Sequence, residues 1–254
     1  MEILVCVKRA PAPGAKIPLT ADGSAIDTRN LGFTMSPHEE CAVEEAVRLV
    51  EAHGGSATVM TLGPPEAAEQ MRDGIATGAD HGVLVETDRT DWDPQATAAA
   101  LGEAIAQLQQ EGARFDLVLF GNESADAAHE QVSVRVAHRL GLPIVNGIKG
   151  LETSDGHVAL RRDTAAGSER YEVPLPAAVA VKKGLNLPRY PALKGRMRAR
   201  KATVRTIAAL HHPGGLTSHG LRYPPDETTE TEILGRGADA APRVVELLGE
   251  EGLT

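Results

Sequence analysis

The chain contains few cysteines and no long apolar run. Cys6 and Cys41 are its two cysteines, and neither belongs to a CxxC pair. This usage excludes a disulfide framework and is typical of a reducing compartment. No segment approaches the ~20 apolar residues that cross a bilayer, and Met1 leads directly into a strand-like run rather than a secretory segment. We therefore expect no membrane span and a cytoplasmic location.

Excess basic charge and the common catalytic motifs are also lacking. The net charge of −9 argues against general nucleic-acid binding. The sequence contains no GxGxxG after a strand, no GxxxxGK[ST], no GxSxG and no HExxH. Aromatic residues make up only 3% of the chain, so its core must be built from Val, Leu, Ile and Ala. The sequence offers no catalytic constellation of its own.

The most informative stretch runs from Phe115 to Pro143. Asp116–Phe120 has the length and apolar content of one strand, and a polar loop follows through Gln131. One apolar helix face comes next, formed by Val132, Val136, Ala137 and Leu140. A loop that leaves a parallel strand and opens a helix is a common ligand site, and the helix N-terminus favours anions such as phosphate. An ordinary strand–helix connection without a ligand is the alternative.

The first half of the chain alternates between strand and helix patterns. Ser36-Pro37-His38-Glu39 has capping-box spacing with proline at the first helical position, and a helix follows. Residues 17–34 predict a small hairpin around Asp22-Gly23. The other predicted elements are the strands Ile3–Val7, Ala57–Leu62 and Gly82–Glu86 and the helices Gly63–Thr77 and Pro94–Gln110. This alternation predicts a parallel sheet with helices on both faces.

The pattern changes after Pro143. Three runs without intervening helices predict antiparallel additions to the sheet: Val158–Arg162, Glu169–Val173 and Ala177–Val181. Residues 185–201 read as a basic loop, and Thr203–Ala208 as a further strand. Residues 212–240 show no periodicity, and Ala241–Glu250 predicts a short amphipathic helix. This tail either packs on a partner or returns to its own domain.

Three local features each have more than one interpretation. The basic residues between Lys182 and Lys201 indicate a solvated loop or a surface that docks on an acidic protein; with only Tyr190 available to stack on a base, nucleic acid is less favoured. His211-His212 fits a solvated loop better than a metal site. Cys6, at a strand end, is either a reactive thiol or a small core residue.

Several phrases together resemble the beta subunit of electron transfer flavoproteins. They occur in the family's order over residues 1 to about 205: LVCVKRAP, TMSPHEECAVEEAVRL, ATGAD, FDLVLFG, LPAAVAVKKGLNLPRY and KGRMRARK. The resemblance implies an α/β sheet of the adenine-nucleotide alpha-hydrolase-like, Rossmann-like type in residues 1–205, with residues 206–254 as an arm on a partner. It also implies a heterodimer with an alpha subunit that shares FAD with this chain, and a donor dehydrogenase. AMP or a second FAD is expected in this subunit.

Carried over position by position, the resemblance also implies site residues. The expected nucleotide contacts are Cys6, Ser36, Pro37, His38, Glu39, Leu62, Glu123, Ser124, Ala125, Asp126, His129, Gln131, Val132, Ser133 and Val134. The expected partner-docking loop is centred on Leu193, with Lys194, Arg196, Met197 and Arg198 beside it. No catalytic residue and no metal ligand are implied.

The chain departs from the family pattern in the loop NESADAAHEQVSV, where Val132, Ser133 and Val134 replace small or polar residues and Glu130 adds a charge that repels phosphate. It is therefore expected to be a divergent paralogue, an electron carrier rather than an enzyme. An ATP-binding regulatory module of the universal-stress type remains an alternative, whereas an adenylating enzyme would need a Gly-rich phosphate loop that the sequence lacks.

Overall fold

The structure is a computed structural model that describes residues 1–12, 14, 17–90, 92–225 and 232–253. These residues form two compact units, Met1–Gly220 and Leu221–Thr254. The first unit contains a sheet of nine strands in the order β11-β5-β4-β1-β6-β10-β7-β8-β9. Its strands are β1 (Glu2–Val7), β4 (Ser56–Gly63), β5 (His81–Glu86), β6 (Leu117–Gly121), β7 (Ile144–Ser154), β8 (His157–Thr164), β9 (Gly167–Pro174), β10 (Ala177–Val181) and β11 (Val204–Ala208).

Helices cover both faces of this sheet, as the sequence pattern predicts. Successive residues of β1 point to opposite faces, so Ile3 and Val5 join one core layer and Leu4 and Cys6 join the other. The first layer is closed by α1 (Pro37–His53) and α2 (Ala68–Thr77), and the second by α3 (Pro94–Gln110) and α4 (Val132–Leu140). The α/β fold class is confirmed.

The local signals of the first half are also confirmed. Ser36 caps α1, and the reciprocal bond of Glu39 completes the capping box. The segment 17–34 contains an antiparallel bridge between Leu19 and Ile26, and the short strands β2 (Ala10–Pro11) and β3 (Phe33–Thr34) pair beside it. The predicted helix from Gly63 is displaced, because a 3₁₀ turn at Pro65–Ala67 precedes α2.

One strand prediction is wrong. The strands β8 and β9 are antiparallel, as expected, but Ala177–Val181 pairs parallel with both β6 and β7. All five of its residues are buried, so it has no polar face. A short Ala/Val run without polar alternation is the pattern of a strand covered on both faces, which is typical of parallel sheets.

A second correction concerns the basic segment. Leu193–Lys201 forms a helix, α5, rather than a loop. Its sequence LKGRMRARK contains no proline and is rich in Lys, Arg, Met and Leu, which favour helices. The prolines that suggested a loop, at positions 188 and 191, lie before the helix begins.

The second unit contains a 3₁₀ turn at Gly237–Ala240 and the helix α6, Ala241–Glu250, so the predicted terminal helix is confirmed. No residue of α6 is buried, and Val244, Val245 and Leu248 are exposed. Residues 226–231 of the predicted arm lie outside the described residues. Among the helices of the described residues, none is long and apolar enough to cross a membrane.

Candidate functional site

The order of the strands creates a crevice beside the central strand β1. From β1 the chain proceeds outward through β4 and β5, and it then returns to place β6 on the other side of β1. The connections that leave β1 and β6 therefore diverge at the carboxyl edge of the sheet. Ligands of open α/β sheets bind at such a topological switch point. Here the two sides of the crevice are formed by Lys8, Ser36 and His38 on one connection and by residues 122–131 on the other.

Glu39 joins the end of β1 to the start of α1. Its Oε2 accepts a hydrogen bond from the Ser36 N–H at 2.7 Å, and its Oε1 accepts one from the Lys8 N–H at 2.7 Å. Burial raises the pKa of Glu39 to about 7, although these hydrogen bonds oppose the shift. A Cβ at Gly121 would lie 2.5 Å from Glu39 Cγ. The residue that ends β6 must therefore be glycine for this carboxyl group to fit.

Three contacts connect the two sides of the crevice. Ser36 Oγ donates to the Glu123 carbonyl at 3.0 Å, and His38 Nε2 lies 3.1 Å from Glu123 Oε1. Lys8 Nζ contacts both carboxylate oxygens of Asp126, at 2.7 and 2.6 Å. We call the six residues of this network the switch-point cluster: Lys8, Ser36, His38, Glu39, Glu123 and Asp126.

The charges of the cluster are balanced locally. Burial raises the pKa of Asp126, but the Lys8 ammonium and several hydrogen bonds outweigh it, so the pKa lies below its ordinary value. Burial lowers the pKa of His38, against the opposite effect of Glu123. The Lys183 N–H donates to His38 Nδ1 at 3.2 Å, which leaves the ring proton of a neutral imidazole on Nε2, facing Glu123.

The predicted loop 123–131 leads into α4 with two unusual backbone conformations. Ala128 (φ 46°) and Glu130 (φ 54°) are the non-glycine residues with left-handed backbone in the described part of the chain. Gln131, the N-cap of α4, provides no side-chain cap; its Oε1 accepts from Arg135 instead. The first N–H groups of α4 thus receive no capping side chain and can donate to an anion.

The remaining predicted nucleotide contacts lie at the same carboxyl edge of the sheet, but their side chains differ in exposure. Cys6 and Leu62 pack in the core layer of α3 and α4, so a ligand at the edge would meet mainly their backbone. Burial raises the pKa of the Cys6 thiol, which favours a core role over a reactive one. Ser133 is buried, whereas Val134 is 41% exposed. The loop residues Ser124, Ala125 and His129 and the helix residue Pro37 complete the group, with Val132 partly buried.

Sequence reasoning missed a cavity of about 290 Å³ between the N-termini of α3 and α4. Its lining includes Asp93, Gln131 and Arg135. Asp93 caps α3 by accepting from the Ala96 N–H at 2.7 Å, and its second oxygen accepts from the Gly215 and Leu216 N–H groups at 2.6 and 2.9 Å. Asp93-Pro94 is a recognisable cap signal, but no local pattern places residues 215–216 there.

The predicted docking residues lie apart from the crevice, on α5. Leu193 and Met197 are 75% and 55% exposed. Arg198 has a structural role, because its Nη2 donates to the carbonyls of Ile75 and Ala79 at the end of α2, at 2.7 and 3.2 Å. Leu187 and Tyr190 extend the apolar surface with 90% and 84% exposure. We call Leu187, Tyr190, Leu193 and Met197 the exposed apolar face.

The segment that precedes α5 is fixed firmly on α1. Arg189 binds Glu44 through two nitrogens, with distances from 2.9 to 3.2 Å, and binds Glu51 at 2.6 and 2.9 Å. The hydrogen bonds to these carboxylates raise the pKa of Arg189 further. Asn186 donates to the Cys41 carbonyl at 3.0 Å and to Glu45 at 2.8 Å. The exposed apolar face therefore stands on a rigid support.

The histidine pair does not form a metal site in the described part of the chain, where no group of three or more His, Cys, Asp or Glu side chains has suitable geometry. His212 Nε2 contacts Glu103 Oε2 at 2.7 Å, and His211 packs edge-on against Trp92. Both residues thus attach the segment after β11 to the body of the unit, through contacts that the sequence did not predict.

Comparison with known proteins places this geometry in a family. The family model "Electron transfer flavoprotein domain" matches residues 24–211. The chain is 39% identical over 210 residues to the electron transfer flavoprotein subunit beta of Syntrophomonas wolfei, covering 82% of this chain and 80% of that one. It is 33% identical over 209 residues to the Bacillus subtilis subunit beta (82% and 79% covered) and 34% identical over 213 residues to that of Bradyrhizobium diazoefficiens (82% and 82% covered). The chain therefore belongs to the electron transfer flavoprotein family, and its similarity is to the beta subunits of that family.

Proposed function

We propose that this chain is the beta subunit of an electron transfer flavoprotein in the cytoplasm. Together with an alpha subunit it would carry electrons, through a shared FAD, from a donor dehydrogenase to a further acceptor. The chain would be an electron carrier subunit rather than a catalyst. The observation that supports this role best is the switch-point cluster, because the residues that the family resemblance implies as nucleotide contacts meet at one crevice.

In this proposal the crevice holds an adenine nucleotide, either AMP or a second FAD. The residues present fit such a group in two respects. The first N–H groups of α4 have no capping side chain and suit a phosphate. The three loop carboxylates that would repel a phosphate are each held by a partner: Glu123 by His38, Asp126 by Lys8 and Glu130 by Asn122.

The shared FAD would supply the electron-accepting isoalloxazine when bound. The residues of this chain would contribute binding and orientation: the backbone of 123–134, the α1 start at Ser36–Glu39, and the strand ends at Cys6 and Leu62. Val132 and Val134 are branched residues in the first turn of α4, and we expect such side chains to limit how closely a phosphate approaches. The identity of the bound nucleotide is therefore the decisive observation.

The exposed apolar face is proposed to dock on the donor dehydrogenase. Leu193 and Met197 project from α5, and Lys194 and Arg196 add positive charge beside them. Apolar side chains surrounded by cations suit a partner that presents an apolar pocket with an acidic rim. Arg198 is already bonded to the end of α2, so its contribution to docking would be indirect.

Co-expression with an alpha subunit of the family tests the proposal. We expect a yellow heterodimer, from which acid releases FAD and a second adenine nucleotide; the nucleotides, identified and counted per heterodimer, distinguish AMP from a second FAD. A colourless protein that does not bind the alpha subunit would contradict the proposal. A homo-oligomer that binds ATP would instead support the regulatory alternative.

A further inference from the structure

The loop that precedes α4 is held in shape by a pair of residues, Asn122 and Glu130. Asn122 follows β6 directly and is buried, with 5% exposure. Its Nδ2 donates to Glu130 Oε1 at 2.8 Å. The bond joins the first residue after the strand to a residue two positions before the helix, and it therefore closes the whole loop.

Asn122 is itself fixed to the sheet. Its backbone N–H donates to the Val181 carbonyl at 2.9 Å, at the end of β10. The amide that holds Glu130 thus stands on two neighbouring parallel strands, β6 and β10. A buried amide with its backbone and side chain both bonded is a fixed support for the opposite end of a loop.

The loop needs such a support because its backbone is strained. Ala128 and Glu130 both have left-handed backbone conformations, which non-glycine residues adopt only when their surroundings impose them. The strain ends one residue before Gln131, the N-cap of α4. The bond from Asn122 to Glu130 therefore acts at the point where the loop sets the position of the first N–H groups of α4.

We propose that Asn122 and Glu130 are a positioning pair for the adenine nucleotide, an inference that rests on the proposed function. The pair holds the α4 N-terminus toward the crevice. It also holds the Glu130 carboxylate against the Asn122 amide, so that this negative charge is not free to move beside a phosphate. Neither residue needs to touch the nucleotide.

The test uses three variants and one control variant of the heterodimer, loaded with the shared FAD but free of the second nucleotide. Each is titrated calorimetrically with AMP and, in parallel, with FAD. Asn122→Asp places two carboxylates together and breaks the bond. We expect it to weaken nucleotide affinity by about tenfold, because the loop must then be ordered when the nucleotide binds. Glu130→Gln retains an oxygen that accepts from Asn122, so we expect its affinity to stay within about threefold of the parent value.

The double variant Asn122→Asp/Glu130→Gln rebuilds the bond with reversed polarity, because the Gln amide can donate to the Asp carboxylate. We expect this double variant to recover most of the lost affinity. Without nucleotide, the amide hydrogens of residues 123–134 should exchange fastest in Asn122→Asp and at nearly the parent rate in the other two variants. Asn146→Asp is the matched control, at a partly buried strand position on β7, and should leave affinity unchanged.

Two failures are distinguishable. If the parent heterodimer binds the nucleotide but Asn122→Asp binds it equally well, or the double variant does not recover, the positioning pair is wrong and the proposed function stands. If the parent heterodimer binds neither AMP nor FAD at this site, the nucleotide role in the proposed function is wrong, and the positioning pair is overturned with it.

Discussion

The switch-point cluster and the exposed apolar face differ in how their side chains are satisfied. In the cluster, carboxylate, imidazole and ammonium groups bond to one another across the crevice, and Glu39 is almost fully buried. On the exposed apolar face, Leu187 and Leu193 remain 90% and 75% exposed although the backbone beneath them is firmly anchored. The first arrangement holds the ends of β1 and β6 and the start of α1 in a defined geometry. The second keeps apolar surface available for an encounter.

The largest effect is expected in the switch-point cluster, where Glu39 makes the free energy of unfolding depend on pH. Burial raises the pKa of Glu39 to about 7 from an ordinary value of 4.5. At pH values between these two pKa values, Glu39 keeps its proton in the folded chain but loses it in the unfolded chain. The free energy of unfolding therefore falls as the pH rises through this window, by about 3 kcal/mol in total.

Urea unfolding from pH 4.5 to 7.5 measures this effect, with Glu39→Gln as the variant that cannot titrate. We expect the parent to lose about 3 kcal/mol of stability relative to Glu39→Gln as the pH rises over that window. Parallel curves for parent and variant would show that Glu39 is ionised in the folded chain throughout, and that its hydrogen bonds outweigh burial.

A smaller effect is expected from Gly121→Ala, which adds a methyl group where Glu39 Cγ stands 2.5 Å away and Glu39 N 2.9 Å away. Because the capping box holds both atoms, we expect a loss of about 2 kcal/mol from overpacking. Gly32→Ala is the matched control, since its new Cβ would meet only the Ala12 side chain at 3.9 Å. Equal stability of the two variants would show that the cluster is more adaptable than its geometry indicates.

Ser36→Ala should cost more than an ordinary helix cap. An N-cap serine contributes about 1 kcal/mol, but Ser36 is 1% exposed and its Oγ also donates to the Glu123 carbonyl. We therefore expect a loss of about 1.5 kcal/mol in urea unfolding of the nucleotide-free protein. A clearly larger loss with nucleotide bound than without it would reveal a direct ligand contact of the hydroxyl.

The smallest effect on stability is expected on the exposed apolar face. Leu193→Ala removes a side chain that is 75% exposed, so unfolding should change by less than about 0.5 kcal/mol. The rate of electron acceptance from the donor dehydrogenase should nevertheless fall, with the flavin content unchanged. Leu210→Ala, a residue 64% exposed and outside the exposed apolar face, is the control and should leave the rate unchanged. Equal rates for the parent and Leu193→Ala would remove the docking role.

Local signals predicted the frame of the molecule well. The capping box at Ser36 and Glu39 and the helix Pro94–Gln110 depend only on neighbouring residues, and the structure contains both. The orientation of Ala177–Val181 was predicted wrongly because its place in the chain, directly after two antiparallel strands, does not determine its pairing. Its lack of polar alternation is the signal of a fully buried strand.

The candidate site was less accessible from sequence. The pairs Lys8–Asp126 and Ser36–Glu123 join residues 118 and 87 positions apart, and only the strand order brings them together. Asn122 carries no motif, and its importance depends on burial and on its bonds to Val181 and Glu130. Helical propensity favours α5, but the prolines at positions 188 and 191 are loop signals that lie directly before it and conceal where the helix begins.

A structure of the complex co-purified with an alpha subunit tests the central claim most directly. The account predicts an adenine nucleotide at the carboxyl ends of β1 and β6, with its phosphate at the N-terminus of α4 and the second subunit alongside. A crevice filled by the side chains of the switch-point cluster, with neither nucleotide nor second subunit, would contradict it.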